Sequence, residues 1–290
     1  MNKRISDIAT TKAVIAKYGF TFQKRFGQNF LIDTNIIERI IDGSEITEED
    51  TVLEIGPGIG SMTQLLAESA GKVIAVEIDK KLIPVLEDTL SDYDNIRIIN
   101  EDILKLDLHK LIEEEGIKSL KVVANLPYYI TTPIIMGLIE RDLPIESITV
   151  MIQKEVAERM NAKPSTKAYG SLTLAVNYFA STEIVTMVAP ECFIPKPNVA
   201  SAVIKLTKLE VPSVKTKHEK LMFQIIKGAF AQRRKTFINS LTNSTQLPFE
   251  KEEVGQALES LEIDVRIRGE ALTLEQFAQL TDILSVKIVE

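Results

Sequence analysis

From Thr51 onward, short apolar runs alternate with longer stretches in which apolar positions recur every three or four residues. An unbroken apolar run or a period of two marks a strand, and a period near 3.6 marks a helix with one buried face. On that basis Val52–Ile55, Lys72–Val76, Ile96–Ile99, Leu120–Ala124 and Ser147–Ile152 are predicted strands, and stretches near 61–69, 80–90, 132–140 and 154–162 are the helices between them. Strands that alternate with helices pair in parallel through crossover connections, so the pattern predicts a doubly wound α/β sheet. The strand signal ends at Val203–Leu206, and Pro212 lies in a short polar linker. Beyond it Leu221, Met222, Ile225, Ile226, Ala229 and Phe230 recur at helical spacing. Thr273 and Gln276 form a capping box that opens a helix with Leu274, Phe277, Leu280 and Leu284 on one face. Two domains are expected: residues 1–206, which include a basic N-terminal segment over 1–30, and a smaller all-helical domain over 207–290.

Composition narrows the chemistry. Of 290 residues, 45% are hydrophobic and 26% charged, as in a soluble globular protein. No stretch approaches the roughly 18–20 unbroken apolar residues of a membrane helix. The N-terminus has charges but no apolar core of a secretory signal. A single cysteine, Cys192, excludes an intramolecular disulfide and fits a reducing compartment, so a cytoplasmic location is expected. His109 and His218 stand far apart, so neither a metal site nor a histidine-based nucleophile is expected. The net charge of −7 is unevenly spread. Residues 1–30 carry six Lys/Arg against one acid, and residues 205–248 carry nine against two. Either block alone reads as a solvated face; together they offer two local sites for phosphate.

Val52–Gly60 reads VLEIGPGIG, an apolar strand running into a glycine-rich turn and then a helix-compatible run. Glycines there let the backbone bend sharply and approach a ligand with no Cβ in the way. A plain tight turn, or the loop of a dinucleotide dehydrogenase, would look much the same. Two details favour S-adenosylmethionine. Gly56, Gly58 and Gly60 are spaced two and two, unlike the G-x-G-x-x-G arrangement that seats a pyrophosphate on a helix N-terminus. Glu54 also puts negative charge beside that terminus, which suits a sulfonium and an ammonium better than two phosphates. Glu77, 21 residues after Gly56, is placed to accept both hydroxyls of an adenosine ribose. Asp102, in Asn100-Glu101-Asp102-Ile103, can accept from the adenine amino group, although a lone Asp after a strand is otherwise a turn or helix cap.

Leu120–Tyr129 reads LKVVANLPYY, a buried strand ending in Asn125-Leu126-Pro127-Tyr128. As the fourth strand of a doubly wound sheet it adjoins the switch point, so its carboxyl end faces the ligand crevice. Most Asn-x-Pro turns are structural. Here the residue types solve a problem set by an exocyclic adenine amine, whose lone pair is delocalised into the ring. The Asn125 side-chain oxygen and the Leu126 carbonyl can accept its two hydrogens, favouring a tetrahedral nitrogen whose lone pair is free to attack a methyl group. Pro127 restricts Leu126 to an extended conformation and so aims that carbonyl. Tyr128 can stack on a flipped base.

These segments resemble the ribosomal RNA adenine dimethyltransferase family, whose relatives methylate large-subunit RNA and confer macrolide resistance. The resemblance rests on Gln23–Leu31 (QKRFGQNFL), Val52–Gly60, Val76–Asp79 (VEID), Glu101–Asp102, Asn125–Tyr129 and Phe193–Val203 (FIPKPNVASAV). It implies a Rossmann-like S-adenosylmethionine-dependent domain followed by a helical domain that binds RNA or ribosome. It implies that Asn29 and Leu31 close over the cofactor, that Gly56, Gly58, Glu77, Ile78, Asp102, Ile103 and Asn125 line its pocket, and that Phe193 stacks on the target base opposite Tyr128. The implied substrate is a pair of adjacent adenosines in a hairpin near the 3′ end of 16S rRNA, in the small ribosomal subunit or its precursor. The protein is expected to act as a monomer, without a membrane or metal. Lys24 and Arg25, with Arg233, Arg234 and Lys235, are the expected phosphate contacts. Rival readings are a ribosome-assembly factor that mainly binds the immature subunit, a large-subunit RNA methyltransferase, and a DNA amino methyltransferase.

Overall fold

The computed structural model describes residues 4–20, 22–23 and 27–289. Its strands in chain order are β1 (Phe30–Leu31), β2 (Thr51–Ile55), β3 (Lys72–Glu77), β4 (Ile96–Asn100), β5 (Leu120–Asn125), β6 (Ile145–Gln153), β7 (Ala180–Val188), β8 (Phe193–Ile194) and β9 (Ser201–Lys208). Seven of these form one sheet in the order β4-β3-β2-β5-β6-β9-β7, and β1 pairs with β8 in a separate antiparallel ribbon. From β4 to β6 the pairing is parallel, whereas β9 runs antiparallel to β6. Parallel strands are covered on both faces, which explains why they read as unbroken apolar runs. Val52, Leu53, Val73, Ile74, Val122 and Val123 are all fully buried. The chain winds outward from β2 through β3 to β4, then returns to β5 and winds the other way through β6. The order therefore reverses between β2 and β5, and a crevice opens beyond their carboxyl ends.

The accompanying helices are α1 (Ile8–Lys17), α2 (Thr34–Ser44), α3 (Ser61–Ser69), α4 (Ile83–Thr89), α5 (Leu108–Glu114), α6 (Thr131–Ile139), α7 (Lys154–Met160) and α8 (Ser171–Phe179). All five strands expected between 52 and 152 form within a residue or two of their limits. The helix expected over 80–90 is shorter, because Asp79 and Lys81 are held in a turn and Pro84 sits in the first turn of α4. The described N-terminal residues pack on the sheet domain through α1 and the mutually packed rings of Phe20, Phe22 and Phe30.

The chain divides into two compact units, Met1–Ala157 with Thr182–Lys208, and Glu158–Ser181 with Leu209–Glu290. One boundary falls after Lys208, and Glu158–Ser181, expected within the first domain, groups with the second unit. The reason is packing: Tyr169, Leu174 and Tyr178 are buried in its core, and the Tyr169 hydroxyl donates to the Leu272 carbonyl at 2.8 Å. That core is otherwise built by α9 (Glu219–Ala231), α10 (Phe237–Thr242), α11 (Lys251–Ser260) and α12 (Leu274–Val289). Met222, Ile225, Ile226 and Ala229 of α9 meet Phe277, Leu280 and Leu284 of α12 within it. The expected capping box opens α12: the Thr273 hydroxyl accepts from the Gln276 N–H at 3.2 Å, and the Gln276 side chain accepts from the Thr273 N–H at 2.9 Å.

Candidate active site

A cleft opens in the crevice beyond β2 and β5. The turn after β2 forms its floor. Gly56, Gly58 and Gly60 all have positive φ, between 62° and 95°. A Cβ on Gly58 would stand 3.1 Å from the Phe30 ring, so both the conformation and the space require glycine there.

Two carboxylates from neighbouring strands line the cleft. Glu54 is fully buried in β2, and neither of its oxygens has a hydrogen-bond partner among the described residues. Burial pushes its pKa up to about 8, with the nearby Thr63 hydroxyl opposing and Glu77 adding repulsion. A buried acid with no partner is costly unless something else satisfies it. Glu77 ends β3. Its Oε1 accepts from the Asp79 N–H at 2.8 Å and its Oε2 from the Gly58 N–H at 3.2 Å. Burial raises its pKa to about 7, against those backbone donors. The donor set suits a ligand that brings a positive charge to Glu54 and hydroxyl donors to Glu77.

The turn after β5 forms the facing wall. Asn125 ends β5, and its Nδ2 donates to the Asn29 carbonyl at 2.9 Å. That bond settles which end of the carboxamide is spent and leaves Oδ1 as the acceptor. Leu126 is buried and lines the cleft. Its N–H donates to the Met151 carbonyl at 3.1 Å, which fixes the peptide. The Pro127 carbonyl accepts from Ile130 N–H and from the Thr131 hydroxyl at the start of α6. Tyr128 lies half-buried on the cleft wall, and its hydroxyl shares a 2.8 Å hydrogen bond with Ser201. Sequence reasoning missed Ser201 because nothing local links it to Tyr128.

Of the expected residues, Asn29, Leu31, Gly56, Gly58, Glu77, Ile78, Asn125, Leu126, Pro127 and Tyr128 all line this one cleft. Asp102, Ile103 and Phe193 do not. Asp102 caps its own turn, with Oδ1 accepting from the Leu104 N–H at 3.0 Å and its carbonyl accepting from Lys105 and Leu106. Ile103 is buried beside it. Phe193 is paired through its backbone with Leu31, and its ring is buried in the apolar cluster that holds Leu31, Val123 and Met151. Lys24 and Arg25 lie outside the described residues.

Among the second unit's expected phosphate contacts, Arg233 is already engaged. Its guanidinium donates to the carbonyls of Lys167 and Tyr169, at 3.0 and 3.2 Å, and pairs with Glu270 at 3.1 Å. It holds two loops together through three of its five N–H donors. Arg234 and Lys235 are exposed and form no ion pair among the described residues. In the N-terminal block Arg4 pairs with Glu68 and Lys17 with Asp88, so part of that positive charge is neutralised on the protein's own surface.

The pattern of the family described as ribosomal RNA adenine dimethylase matches residues 19–285. A protein of Lachnoclostridium phytofermentans named ribosomal RNA small subunit methyltransferase A is 58% identical over 286 residues, 98% of this chain and 99% of its own. One of the same name from Bacillus pumilus is 52% identical over 98% of each chain. Among solved structures, a dimethyladenosine transferase from Plasmodium falciparum superposes with a TM-score of 0.71 at 27% identity, covering 87% of this chain and 95% of that one. The 23S rRNA methyltransferase ErmE superposes at 0.68 with the same identity, over 89% and 100%. With its glycine turn, paired acids and Asn-Leu-Pro-Tyr wall in one cleft, the chain belongs to the ribosomal RNA adenine dimethylase family.

Proposed function

We propose that the protein dimethylates the exocyclic amino groups of two adjacent adenosines in a hairpin near the 3′ end of 16S rRNA. It does so in the small ribosomal subunit or its precursor, as a cytoplasmic monomer, with S-adenosylmethionine as donor. The observation that carries the reading is the Asn-Leu-Pro-Tyr turn opening into the same cleft as a fully buried, unpartnered carboxylate.

Glu54 would neutralise the positive end of the donor and Glu77 would accept its ribose hydroxyls. Gly56, Gly58, Ile78, Asn29 and Leu31 would enclose it, and Asp102 with Ile103 would bound its adenine. When bound, the donor supplies an electrophilic methyl group. The chain's own task is to make the amine nucleophilic. The Asn125 Oδ1 and the Leu126 carbonyl accept its two hydrogens, and these bonds strengthen as the nitrogen becomes tetrahedral, which is the condition for lowering the barrier rather than merely binding. Alkylation makes the nitrogen acidic, so its proton leaves without a histidine base. Tyr128 stacks on the base, held in plane by Ser201. Phe193 reaches the opposite face only by turning out of its cluster with Leu31 and Met151. Lys24, Arg25, Arg234 and Lys235 contact phosphates, while Arg233 supports the loop that presents the last two.

The test is transfer of labelled methyl groups to naked rRNA, undermethylated small subunits and DNA, followed by nucleoside analysis. N6-dimethyladenosine confined to small-subunit RNA is expected. Label in DNA, or tight subunit binding with no transfer, overturns the reading.

A further inference from the structure

One buried acid beside the cleft has no part in the mechanism above. Asp79 follows Glu77 by two residues and is 4% exposed. Its Oδ2 accepts from the side-chain amides of both Gln23 and Gln28, at 3.0 and 2.9 Å. Its Oδ1 accepts from the Lys81 N–H at 3.1 Å. The two glutamines are joined to each other, since the Gln28 Oε1 accepts from the Gln23 N–H at 2.9 Å. Both belong to the N-terminal segment, and Asn29, next to Gln28, gives its carbonyl to Asn125. On its other side, the Asp79 N–H is one of the backbone donors that hold the Glu77 carboxylate. Hydrogen bonds joined by short backbone links therefore lead from Glu77 through Asp79 and Gln28 to the Asn29 carbonyl that orients Asn125.

We infer that Asp79 is a positioning residue that ties the N-terminal wall of the cleft to the ribose-binding acid, setting Glu77 and Asn125 in one geometry for the cofactor. The inference rests on the cofactor site proposed above. The residue types fit this role. A carboxylate is the one common side chain that can receive three N–H groups without offering any, and here it receives one from each glutamine amide and one from Lys81. The neighbouring negative charge also explains part of the raised pKa of Glu77, which Asp79 repels.

The test compares Asp79→Asn with the double variant Gln23→Ala/Gln28→Ala and with all three changes together. Asparagine keeps the shape of Asp79 but turns a donor toward either Lys81 or the glutamines. Calorimetry with S-adenosylmethionine gives the affinity, hydrogen exchange on the protein alone follows amides 27–31, and a thermal melt checks folding. Asp79→Asn is expected to weaken cofactor binding roughly tenfold, the scale of hydrogen bonds to a charged acceptor. Exchange over 27–31 should quicken, and KM for the cofactor should rise by more than kcat falls. The glutamine pair should produce a similar loss, and the triple variant little more than either, because both remove one linkage. If Asp79→Asn does not fold, the glutamine variant, whose side chains are only partly buried, carries the same expectations. Parental affinity in either variant, or losses that simply add, overturns the inference. If the unaltered protein binds no S-adenosylmethionine, the proposed cofactor site itself fails.

Discussion

Glu54 and Glu77 give the cleft a pH dependence that can be worked out residue by residue. Both acids are raised by folding, from 4.5 to about 8 and about 7. The folded chain therefore holds more protons than the unfolded one across that window, and its stability falls as pH rises through it. A cation seated beside Glu54 favours the carboxylate, so binding expels a proton. Affinity for S-adenosylmethionine should accordingly tighten from pH 6 to 8, by up to about tenfold per pH unit for one proton released. Calorimetry in buffers of different ionisation enthalpy would show the proton, and Glu54→Gln should flatten the curve; equal affinity at pH 6 and 8 rules the pairing out. Asn125→Ala should lower the single-turnover rate of methyl transfer by a factor on the order of a hundred, as loss of a transition-state acceptor does. A folded variant with the parental rate would defeat the mechanism. Asn125, Glu77 and the glycines were legible because each sits within a short motif whose chemistry is local. Ser201, Asp79 and the carbonyl of Asn29 were not, because their roles are pairings across 73, 51 and 96 residues of chain.

Among the elements, the parallel strands were readable, and β1, β7 and β8 were not. β2, β3 and β5 are buried on both faces, so they announce themselves as apolar runs. β7, an edge strand in which buried positions are scattered among exposed ones, gives no such signal, and the two-residue strands β1 and β8 are too short to show a period. That short ribbon matters, because it fixes both Leu31 and Phe193. As a core ring, Phe193 should contribute about 3–5 kcal/mol relative to alanine, so Phe193→Ala confounds folding with substrate binding. Phe193→Leu separates them. Its melt should stay close to the parent's, while KM for RNA rises, since stacking contributes about 1–3 kcal/mol per base. An unchanged KM would make Phe193 a purely structural residue.

For the whole molecule, an acidic chain with basic blocks is expected to bind nucleic acid locally, and the structure shows which cations of the second block are already engaged. Arg233 was indistinguishable from Arg234 by sequence, since only the fold reveals the three groups that occupy its guanidinium. Arg234→Ala with Lys235→Ala should lower the salt slope of subunit binding by about 0.7–0.9 per residue, leaving the melting temperature and cofactor affinity in place. Arg233→Ala should instead lower the melting temperature of the protein. Identical salt slopes in parent and double variant would make these two residues a solvated face. The bond from Asn125 to the Asn29 carbonyl also imposes a timetable. Each amine takes two methyl groups, so spent donor must leave and fresh donor must enter between them, past a wall that includes Asn29. The carboxamide is aimed only while that wall is in place, so attack cannot begin during the exchange. A half-finished base therefore waits for reloading, and scarce donor should make the wait visible as N6-monomethyladenosine that rises and then decays in a time course. Dimethylated product alone at every donor concentration would mean that reloading does not interrupt the work.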